Sequence, residues 1–304
     1  MSDFKVLICM PAYNEEKYVA STVIKCMRYT EDVFVVDDSS KDETSSVARM
    51  AGARVIKHNK NLGYGGALRT CFLLGKKYNA DCLVILDSDG QHDPKYIPDL
   101  VGPVRRGEAD LVIGSRFKTR DARKKVPNYR MLGIQTITQV FNLGTNMALS
   151  DSQSGFRAYG KNALNHIKVT SDRMDASMEI LFDAKDHKFR IKEVPIIVKY
   201  KGVEGSSEDP VGHGMRVLGN TIKLIRERYP VRFFGGAGIL TLLMIIPVFI
   251  IGRTFFKPPT GILPLGAMFL ATFLGIMGSF LLFVGVMLHG VNRITKKVIQ
   301  ITTK

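Results

Sequence analysis

The sequence predicts an α/β fold, a mostly parallel sheet flanked by helices, followed by a C-terminal hairpin of two membrane-spanning helices. Three observations predict it. Short apolar runs alternate with helical patterns through the first half of the 304-residue chain, which is typical of a parallel sheet. Polar or acidic residues follow each apolar run, and two long stretches near the C-terminus carry no charge.

The alternation gives the order of the elements. We expect strands at Lys5–Met10, Val33–Val36, Arg54–Lys57, Cys82–Leu86 and Asp110–Ile113, with helices at Glu16–Arg28, Glu43–Ala51, Gly66–Tyr78 and Lys95–Arg106. Further along we expect helices at Asn128–Met147 and Ala176–Lys185, a strand at Ile191–Tyr200, and loops at Ser150–Gly155 and Gly202–Pro210. Because ligands of open parallel sheets bind beyond the carboxyl ends of the strands, the polar strand ends predict a binding cleft.

Two uncharged stretches, Phe233–Gly252 and Pro258–Leu288, are each long enough to cross a membrane, for which about 20 apolar residues suffice. A pair of buried core helices is the alternative, which two adjacent runs of this length disfavour. We expect spans at about 233–252 and 262–288, which Pro247 and Pro264 can kink or shorten.

An amphipathic helix is predicted just before the spans. Its apolar face consists of Met215, Leu218, Ile222 and Ile225. Such a helix would lie on the membrane surface, and packing on the soluble domain is the equal alternative. The predicted domains are therefore 1–210 for the α/β domain, 211–232 for this helix, and 233–304 for the two spans and a basic tail.

Charge around the spans predicts their orientation. Basic residues precede the first span and follow the second, whereas the connecting loop keeps only Arg253 and Lys257. The N-terminus resembles a strand rather than a secretory signal. By the positive-inside rule we expect an integral protein of the cell membrane, with the α/β domain and the basic tail in the cytoplasm.

The chain is strongly basic, with a net charge of +15, of which +9 lies before residue 233. A basic domain beside a membrane suits anionic lipid headgroups and phosphorylated substrates. No RNA- or DNA-binding motif accompanies the charge, so nucleic acid is not an expected partner. The four cysteines lack metal-ligand spacing and are expected to be reduced and buried.

Asp87-Ser88-Asp89 directly follows the apolar strand Cys82–Leu86. Two carboxylates at a strand end can present oxygens to Mg²⁺ or Mn²⁺, which are commonly shared with substrate phosphates. Such a metal would offset the charge of a diphosphate leaving group, as sugar transfer from a nucleotide donor requires. Acidic turn residues are common after strands, but the position followed by Gly90 and Pro94 favours a metal site.

Three further segments begin at strand or helix ends. Pro11–Glu16 follows the first strand, and Val36–Asp42 ends the second. Polar residues of the second segment would cap the next helix, and Asp38 can accept a hydrogen bond from a nucleobase N–H; both roles stay open. Asn61–Gly66 is a glycine-rich helix start of the kind that favours phosphate.

The motifs occur in a fixed order along the chain. They are Pro11-Ala12-Tyr13-Asn14-Glu15-Glu16, Val36-Asp37-Asp38-Ser39-Ser40, Asp87-Ser88-Asp89-Gly90-Gln91-His92-Asp93-Pro94, Gly114-Ser115-Arg116-Phe117 and Ser154-Gly155-Phe156-Arg157. As a set they resemble glycosyltransferase family 2, whose GT-A fold is a Rossmann-like, mostly parallel sheet. Within the family, the chain is similar over about residues 4–200 to the dolichyl- and polyprenyl-phosphate sugar synthases, some of which have two C-terminal spans.

This resemblance implies roles for individual residues. Asp87, Asp89 and Gln91 would hold the divalent metal. Pro11, Tyr13, Glu15, Asp38, Asp87 and Ser88 would line the nucleotide pocket. Arg116 and Arg130 would bind the lipid phosphate of the acceptor, a task for which the arginine fork is suited.

A basic residue after the strand Ile191–Tyr200 would close on the diphosphate. Lys199 and Lys201 are the candidates, and the choice between them stays open because the family's common Ser-Lys there is Ser206-Ser207 in this chain. The implied catalytic residues are Asp89, Arg116, Arg130 and Lys201.

The implied reaction is a metal-dependent, inverting transfer from a nucleotide sugar to polyprenyl or dolichyl phosphate. It would give a lipid-linked monosaccharide for glycan assembly or protein glycosylation, and a UDP-sugar is favoured over GDP-mannose. Because a lipid phosphate is already ionised, catalysis would depend on positioning and charge stabilisation. Asp151 would contact sugar hydroxyls, shape the acceptor site or serve the loop structurally. A homo-oligomer such as a tetramer is compatible with the resemblance.

Other functions fit the sequence less well. A processive polysaccharide synthase would carry Gln-x-x-Arg-Trp and more spans, and this chain has no tryptophan. Transfer to a diphosphate-linked lipid or a protein stays open. A non-enzymatic nucleotide-sugar-binding scaffold would be expected to lose the metal ligands, which are present, and a transporter would need polar groups within the spans.

Overall fold

The computed structural model describes residues 4–172, 176–200, 210–255 and 265–302. The chain divides into two units, residues 1–221 and 222–304. The first unit contains the sheet and the second contains the long apolar helices. The domain limits of 210 and 232 stay predictions.

The strands are β1 (Val6–Ala12), β2 (Val33–Asp37), β3 (Arg54–Lys57), β4 (Cys82–Ile85), β5 (Leu111–Ser115), β6 (Arg157–Gly160) and β7 (Ile191–Pro195). The helices of the first unit are α1 (Val19–Cys26), α2 (Thr44–Met50), α3 (Gly63–Lys77), α4 (Ile97–Arg105), α5 (Arg120–Lys124), α6 (Asn128–Thr145), α7 (Lys161–His166) and α8 (Ala176–Asp186). Helix α9 (Pro210–Arg228) continues past the division, and α10 (Pro230–Leu243), α11 (Ile245–Phe255) and α12 (Leu265–Thr302) follow.

The seven strands form one mixed sheet in the order β3-β2-β1-β4-β6-β5-β7. Strand β6 runs antiparallel to both β4 and β5, so the other six strands share one direction. The predicted α/β fold with a mostly parallel sheet is confirmed. Strand β6 was missed because Arg-Ala-Tyr-Gly is four residues long and has no apolar run.

The central strands are buried on both faces, as their uninterrupted Val, Ile and Leu runs require. Every residue of β2 and β4 is buried, and helices on the two sides of the sheet cover them. All four cysteines are buried and free, as expected. Strand β7 ends at Pro195, five residues earlier than predicted, because its partner β5 ends at Ser115, which lies opposite Pro195.

The second unit contains two helical stretches long and apolar enough to cross a membrane, Pro230–Thr254 and Leu265–Thr295. Only 11% of the most apolar window of each is buried, unlike a core helix. The predicted spans fall within these stretches, apart from residues 262–264, which lie outside the described residues. The first stretch breaks at Met244, three residues before Pro247, whose ring clashes with the carbonyl of Leu243.

Helices α10 and α12 pack antiparallel through glycines. A Cβ atom added to Gly238 would lie 2.7 Å from the carbonyl oxygen of Gly278, and one on Gly285 would lie 3.3 Å from the nitrogen of Gly235. Small residues let two helix backbones approach this closely in a membrane. The predicted pair of C-terminal apolar helices is therefore present.

Candidate active site

The cleft lies at one edge of the sheet, where β1, β2, β4 and β5 end. The parallel register sets Cys9 of β1 beside Ile85 of β4, so the segments after these strands start next to each other. The Ser88 hydroxyl donates a 2.9 Å hydrogen bond to the carbonyl of Pro11 and ties the two segments together. Pro11 and Ser88, both predicted for the nucleotide pocket, are thus direct neighbours.

The segments after β1 and β2 are interlocked by backbone-to-side-chain hydrogen bonds. The N–H of Asn14 donates to the Ser40 hydroxyl at 2.9 Å, and the N–H of Glu15 donates to the Thr44 hydroxyl at 2.7 Å. Asn14 has a φ of 57°, a conformation that asparagine adopts more readily than most residues. These contacts hold Glu15 towards the cleft and leave Tyr13 43% exposed beside it.

Asp38 lies at the end of β2 and is almost fully buried. One carboxylate oxygen accepts from His58 Nδ1 at 2.7 Å and from the N–H of Leu62 at 2.8 Å, and the other accepts from the N–H of Gly63 at 2.7 Å. The carboxylate therefore fixes the start of α3. Three of its roughly four acceptor positions are filled by protein donors, which leaves one for a ligand. Its role in binding the base stays a prediction.

Three carboxylates, those of Glu15, Asp87 and Asp89, lie close together. Burial raises the pKa of Glu15 to about 7, with further contributions from the charges of Asp89 and Asp87. Burial, followed by the charge of Asp87, also raises the pKa of Asp89. Burial raises the pKa of Asp87, although Tyr64, Arg116 and Arg157 oppose it. Burial is thus the first cause of all three raised pKa values, and the charges of neighbouring carboxylates add to it for Glu15 and Asp89.

His92 lies behind the acidic pair and contacts the ring of Phe156, with ring centroids 5.4 Å apart. Its buried Nδ1 has no hydrogen-bond partner in the part of the chain that the structure describes, and it is 3.6 Å from a carboxylate oxygen of Asp87. Burial lowers its pKa to about 4. Burial therefore favours the neutral form of the ring, whereas the charge of its protonated form would lower the pKa of Asp89.

The donor set fits a hard divalent cation. Asp87 keeps 31% of its side chain exposed and presents oxygens to the cleft, and the N–H of Gln91 turns back to Asp89 at 2.9 Å. Among the described residues no group of three His, Cys, Asp or Glu side chains converges as a complete cage. Mg²⁺ and Mn²⁺ often bind through one or two carboxylates and complete their shell with substrate oxygens and water. The ligands Asp87, Asp89 and Gln91 stay a prediction.

Arg116, at the end of β5, is held rigidly by Asp151. Two guanidinium nitrogens each donate to a different oxygen of Asp151 at 2.7 Å, and the Arg116 N–H adds a third bond at 3.1 Å. Burial alone would raise the pKa of Asp151, but the charge and hydrogen bonds of Arg116 lower it. Asp151 therefore orients Arg116, and the choice among its predicted roles stays open.

Arg116 and Arg130 meet at one aromatic ring. The remaining nitrogen of Arg116 is 3.5 Å from the Tyr200 hydroxyl, and the guanidinium of Arg130 lies 5.4 Å from the centre of the Tyr200 ring. Arg116 lowers the pKa of Asp87 and Arg130 lowers that of Asp89, so both charges lie near the acidic pair. Residues from β5 and α6 thus converge beside the predicted metal site.

Of the two candidate lysines for closing on the diphosphate, Lys199 lies among the described residues. The N–H of Lys199 donates to the carbonyl of Gln91 at 3.0 Å, which fixes its backbone at the cleft. Lys201 and Ser206-Ser207 lie outside the described residues. The choice between Lys199 and Lys201 stays a prediction.

Four residues of the site had no role predicted from the sequence, although three of them lie in the motifs and segments quoted above. They are Tyr64, whose hydroxyl donates to Asp87 at 3.4 Å, and His92, Arg157 and Tyr200. The signal for Tyr64 was available, because it interrupts a glycine-rich helix start where a bulky side chain has few structural uses. Tyr200 gave none, because an aromatic residue at the end of an apolar run is ordinary.

Comparison with known proteins agrees with this geometry. The profile of glycosyl transferase family 2 matches residues 7–170. The UDP-N-acetylglucosamine–dolichyl-phosphate N-acetylglucosaminyltransferase of Methanococcus voltae is 31% identical over 220 residues, 66% of this chain and 88% of that protein. The undecaprenyl-phosphate mannosyltransferase of Micrococcus luteus is 32% identical over 212 residues, 63% and 82% of the two chains.

A solved structure shares the fold. Glucosyl-3-phosphoglycerate synthase from Mycobacterium tuberculosis, in complex with Mn²⁺ and UDP-glucose, aligns with a TM-score of 0.59 and 21% identity, over 74% of this chain and 79% of that one. This similarity confirms the GT-A architecture. With the family profile matching more than half of its length, the chain belongs to glycosyltransferase family 2 and is a glycosyltransferase.

Proposed function

We propose that the protein transfers a sugar from a nucleotide sugar to a polyprenyl or dolichyl phosphate in the membrane. The observation that carries the proposal is the meeting of Arg116 and Arg130 at Tyr200, beside the carboxylates of Asp87 and Asp89. One side of the cleft suits a metal-bound diphosphate and the other a second phosphate. A sugar between them would face a phosphate nucleophile.

The relatives support a lipid acceptor. The names of the Methanococcus and Micrococcus proteins state that they act with dolichyl phosphate and undecaprenyl phosphate. The two long apolar helices of the second unit would hold this chain at the same membrane. We propose an integral protein of the cell membrane with the catalytic unit in the cytoplasm; a homo-oligomer stays a prediction.

The donor would be a UDP-sugar. The mycobacterial neighbour was solved with UDP-glucose, and the Methanococcus relative is named for UDP-N-acetylglucosamine. In this chain the one open acceptor position of Asp38 suits the single N3–H of uracil. Guanine would present two adjacent N–H donors to the same carboxylate.

The residues of the chain would act by position and charge. Arg116, fixed by Asp151, and Arg130 would orient the lipid phosphate so that its oxygen faces the anomeric carbon from the side opposite the leaving group. That geometry inverts the configuration at this carbon. A divalent cation held by Asp87, Asp89 and Gln91 would neutralise the charge that develops on the departing diphosphate.

The experiment is a donor and acceptor screen with purified full-length protein in lipid nanodiscs. UDP-glucose, UDP-N-acetylglucosamine, UDP-galactose and GDP-mannose would each be offered with dolichyl and undecaprenyl phosphate and Mn²⁺ or Mg²⁺. We expect one UDP-sugar to give a labelled lipid-linked monosaccharide. Transfer to a lipid diphosphate or to protein, with none to either monophosphate, would contradict the proposal.

Asp89 tests the metal assignment. We expect Asp89→Asn to weaken Mn²⁺ binding, followed by electron paramagnetic resonance, and to reduce transfer by roughly a hundredfold or more, because losing a direct ligand should cost at least as much as losing a second-sphere partner. Asp93→Asn is the matched control, since the Asp93 carboxylate caps the turn at Lys95 and pairs with the ammonium of the same residue. Unchanged Mn²⁺ affinity in Asp89→Asn would show that this carboxylate is not a ligand.

A further inference from the structure

The loop Ser150–Gly155 joins the two sides of the cleft. At one end Asp151 holds Arg116 through two hydrogen bonds of 2.7 Å. At the other end Gly155 lies against Asp87, where an added Cβ would be 2.7 Å from a carboxylate oxygen. These six residues therefore connect the surroundings of Arg116, the predicted acceptor arginine, with those of Asp87, the predicted metal ligand. We call this segment the bridging loop.

Strand β6 begins where the bridging loop ends, and its first residue is Arg157. In the sheet Arg157 lies opposite Ile85 of β4 and Ile113 of β5. The first of these strands leads to Asp87 and the second to Arg116. Arg157 thus lies between the strands that carry the two sides of the site.

The Arg157 side chain holds the bridging loop by its backbone. Its three guanidinium nitrogens donate to the carbonyls of Ser152 at 2.9 Å, Ser154 at 2.8 Å and Ser177, at the start of α8, at 2.9 Å. Only 1% of the residue is exposed. Among the described residues no carboxylate forms an ion pair with it, so the backbone carbonyls hold this buried charge in place, and its attraction to the nearby Asp87 lowers the pKa of that carboxyl group.

Glu193 of β7 holds the other end of the loop. Its carboxylate accepts from the N–H groups of Ser150 and Asp151 at 2.9 to 3.0 Å, and from the Ser150 hydroxyl at 2.9 Å. The side chain is 5% exposed. The loop is therefore fixed by an anion on its N–H groups and by a cation on its carbonyls.

We propose that Arg157 is a positioning residue that sets the spacing between the acceptor-phosphate arginine, Arg116, and the metal ligand Asp87 by clamping the bridging loop. The inference rests on the proposed function. Arg157 itself is buried behind the loop and would touch neither ligand. The planar guanidinium is required because a lysine ammonium, a point charge on a flexible stem, cannot reach three fixed carbonyls at once.

This inference predicts that one substitution weakens two separate binding events. We expect Arg157→Gln to raise the Mn²⁺ dissociation constant, measured by electron paramagnetic resonance without substrate, by about tenfold or more, as second-sphere changes do. The KM for polyprenyl phosphate should rise by a similar factor. Arg157→Lys should show both effects in weaker form.

Two variants separate the ends of the loop. Gly155→Ala, which crowds Asp87, should weaken Mn²⁺ binding and leave the acceptor KM within about twofold. Glu193→Gln, which places an amide N–H against the loop N–H groups, should raise the acceptor KM and leave Mn²⁺ binding within about twofold. Arg190→Gln is the control for arginine loss, because Arg190 bonds Asp110 and the Gly107 carbonyl, at the opposite end of β5.

The outcomes are distinguishable. If Arg157→Gln or Arg157→Lys folds and changes neither constant, or only one of them, the spacing role is wrong. If neither variant folds, Arg157 is a structural residue and the proposal is also wrong. Failure of wild-type protein to glycosylate any polyprenyl phosphate, with normal Mn²⁺ binding, would instead overturn the proposed function.

Discussion

Neighbouring groups shift the pKa values of aspartates in the same cleft in opposite directions. Asp151 is fully buried, and Arg116 lowers its pKa, so it is a permanent anion with its oxygens already bonded. Burial raises the pKa values of both Asp87 and Asp89, and the charge of Asp87 raises that of Asp89 further. Asp151 uses its carboxylate to hold Arg116, whereas the carboxylates of Asp87 and Asp89 are available to bind a cation.

Removing one partner of the buried pair Arg116–Asp151 should strongly destabilise the fold. We expect Asp151→Asn to lower the thermal unfolding midpoint by roughly 10 °C, because removing one partner leaves a buried arginine unpaired, at a cost of about 3–5 kcal/mol. Differential scanning fluorimetry in detergent would measure the shift. Asp93→Asn, a partly exposed aspartate, is the control, and a shift of equal size there would contradict the argument.

The same pair gives a pH dependence with a defined sign. The pKa of Asp151 is lower in the folded protein than in the unfolded chain, where an aspartate titrates near 3.9. Its contribution is therefore complete above about pH 4 and is lost as pH falls through the folded value. The difference in midpoint between wild type and Asp151→Asn should stay constant from pH 7 to 5 and narrow below about pH 4. If the difference in midpoint began to narrow near pH 6, titration of Asp151 would not be the cause of the pH dependence.

At the scale of the elements, the helix pair α10 and α12 depends on where its glycines lie. Gly238 faces the carbonyl of Gly278, whereas Gly236, two residues earlier, has nothing within 4 Å of an added Cβ. Helix propensity favours alanine over glycine at both positions, by up to about 1 kcal/mol. Packing opposes it only at Gly238.

Alanine at these two glycines should therefore act in opposite directions. We expect Gly238→Ala to destabilise the helix pair by about 1–3 kcal/mol, as overpacking does, and Gly236→Ala to be neutral or stabilising. Denaturation of the full chain in mixed detergent micelles would compare the two. Equal effects would mean that α10 and α12 do not pack through this face in the membrane.

At the scale of the whole molecule, the proposed function requires the catalytic unit on the cytoplasmic side. The chain suits cysteine labelling, because its four native cysteines are all buried. Met50, at the end of α2, is 79% exposed, and Arg253, near the C-terminal end of the first long apolar stretch, is also exposed. A cysteine introduced at either position would therefore be the accessible thiol for labelling.

A membrane-impermeant maleimide applied to intact cells should label Arg253→Cys and not Met50→Cys. Permeabilised cells should label both, and wild-type protein should label in neither case. This outcome follows from the excess of basic residues outside the connecting loop. Labelling of Met50→Cys in intact cells would show the opposite orientation. The catalytic unit would then have no access to cytoplasmic nucleotide sugars, which would contradict the proposed function.

The sequence by itself determined the family, the α/β fold and the pair of apolar helices. Apolar periodicity specifies parallel strands because both faces of such strands are buried, and ordered motifs at strand ends specify a cleft because those ends share one edge. Asp87-Ser88-Asp89 was visible for the same reason. These features depend on residues that are close in sequence.

Only the tertiary structure decided how the two sides of the cleft are connected. The antiparallel insertion of β6, the clamp of Arg157 on Ser152 and Ser154, and the junction at Tyr200 join residues far apart in the chain. Arg157 belongs to one of the ordered motifs, but neither its contacts nor those of Tyr200 can be predicted from the neighbouring sequence, because they are made with other elements. Hydrogen-bond partners across strands are fixed by register and packing, which no short segment specifies alone.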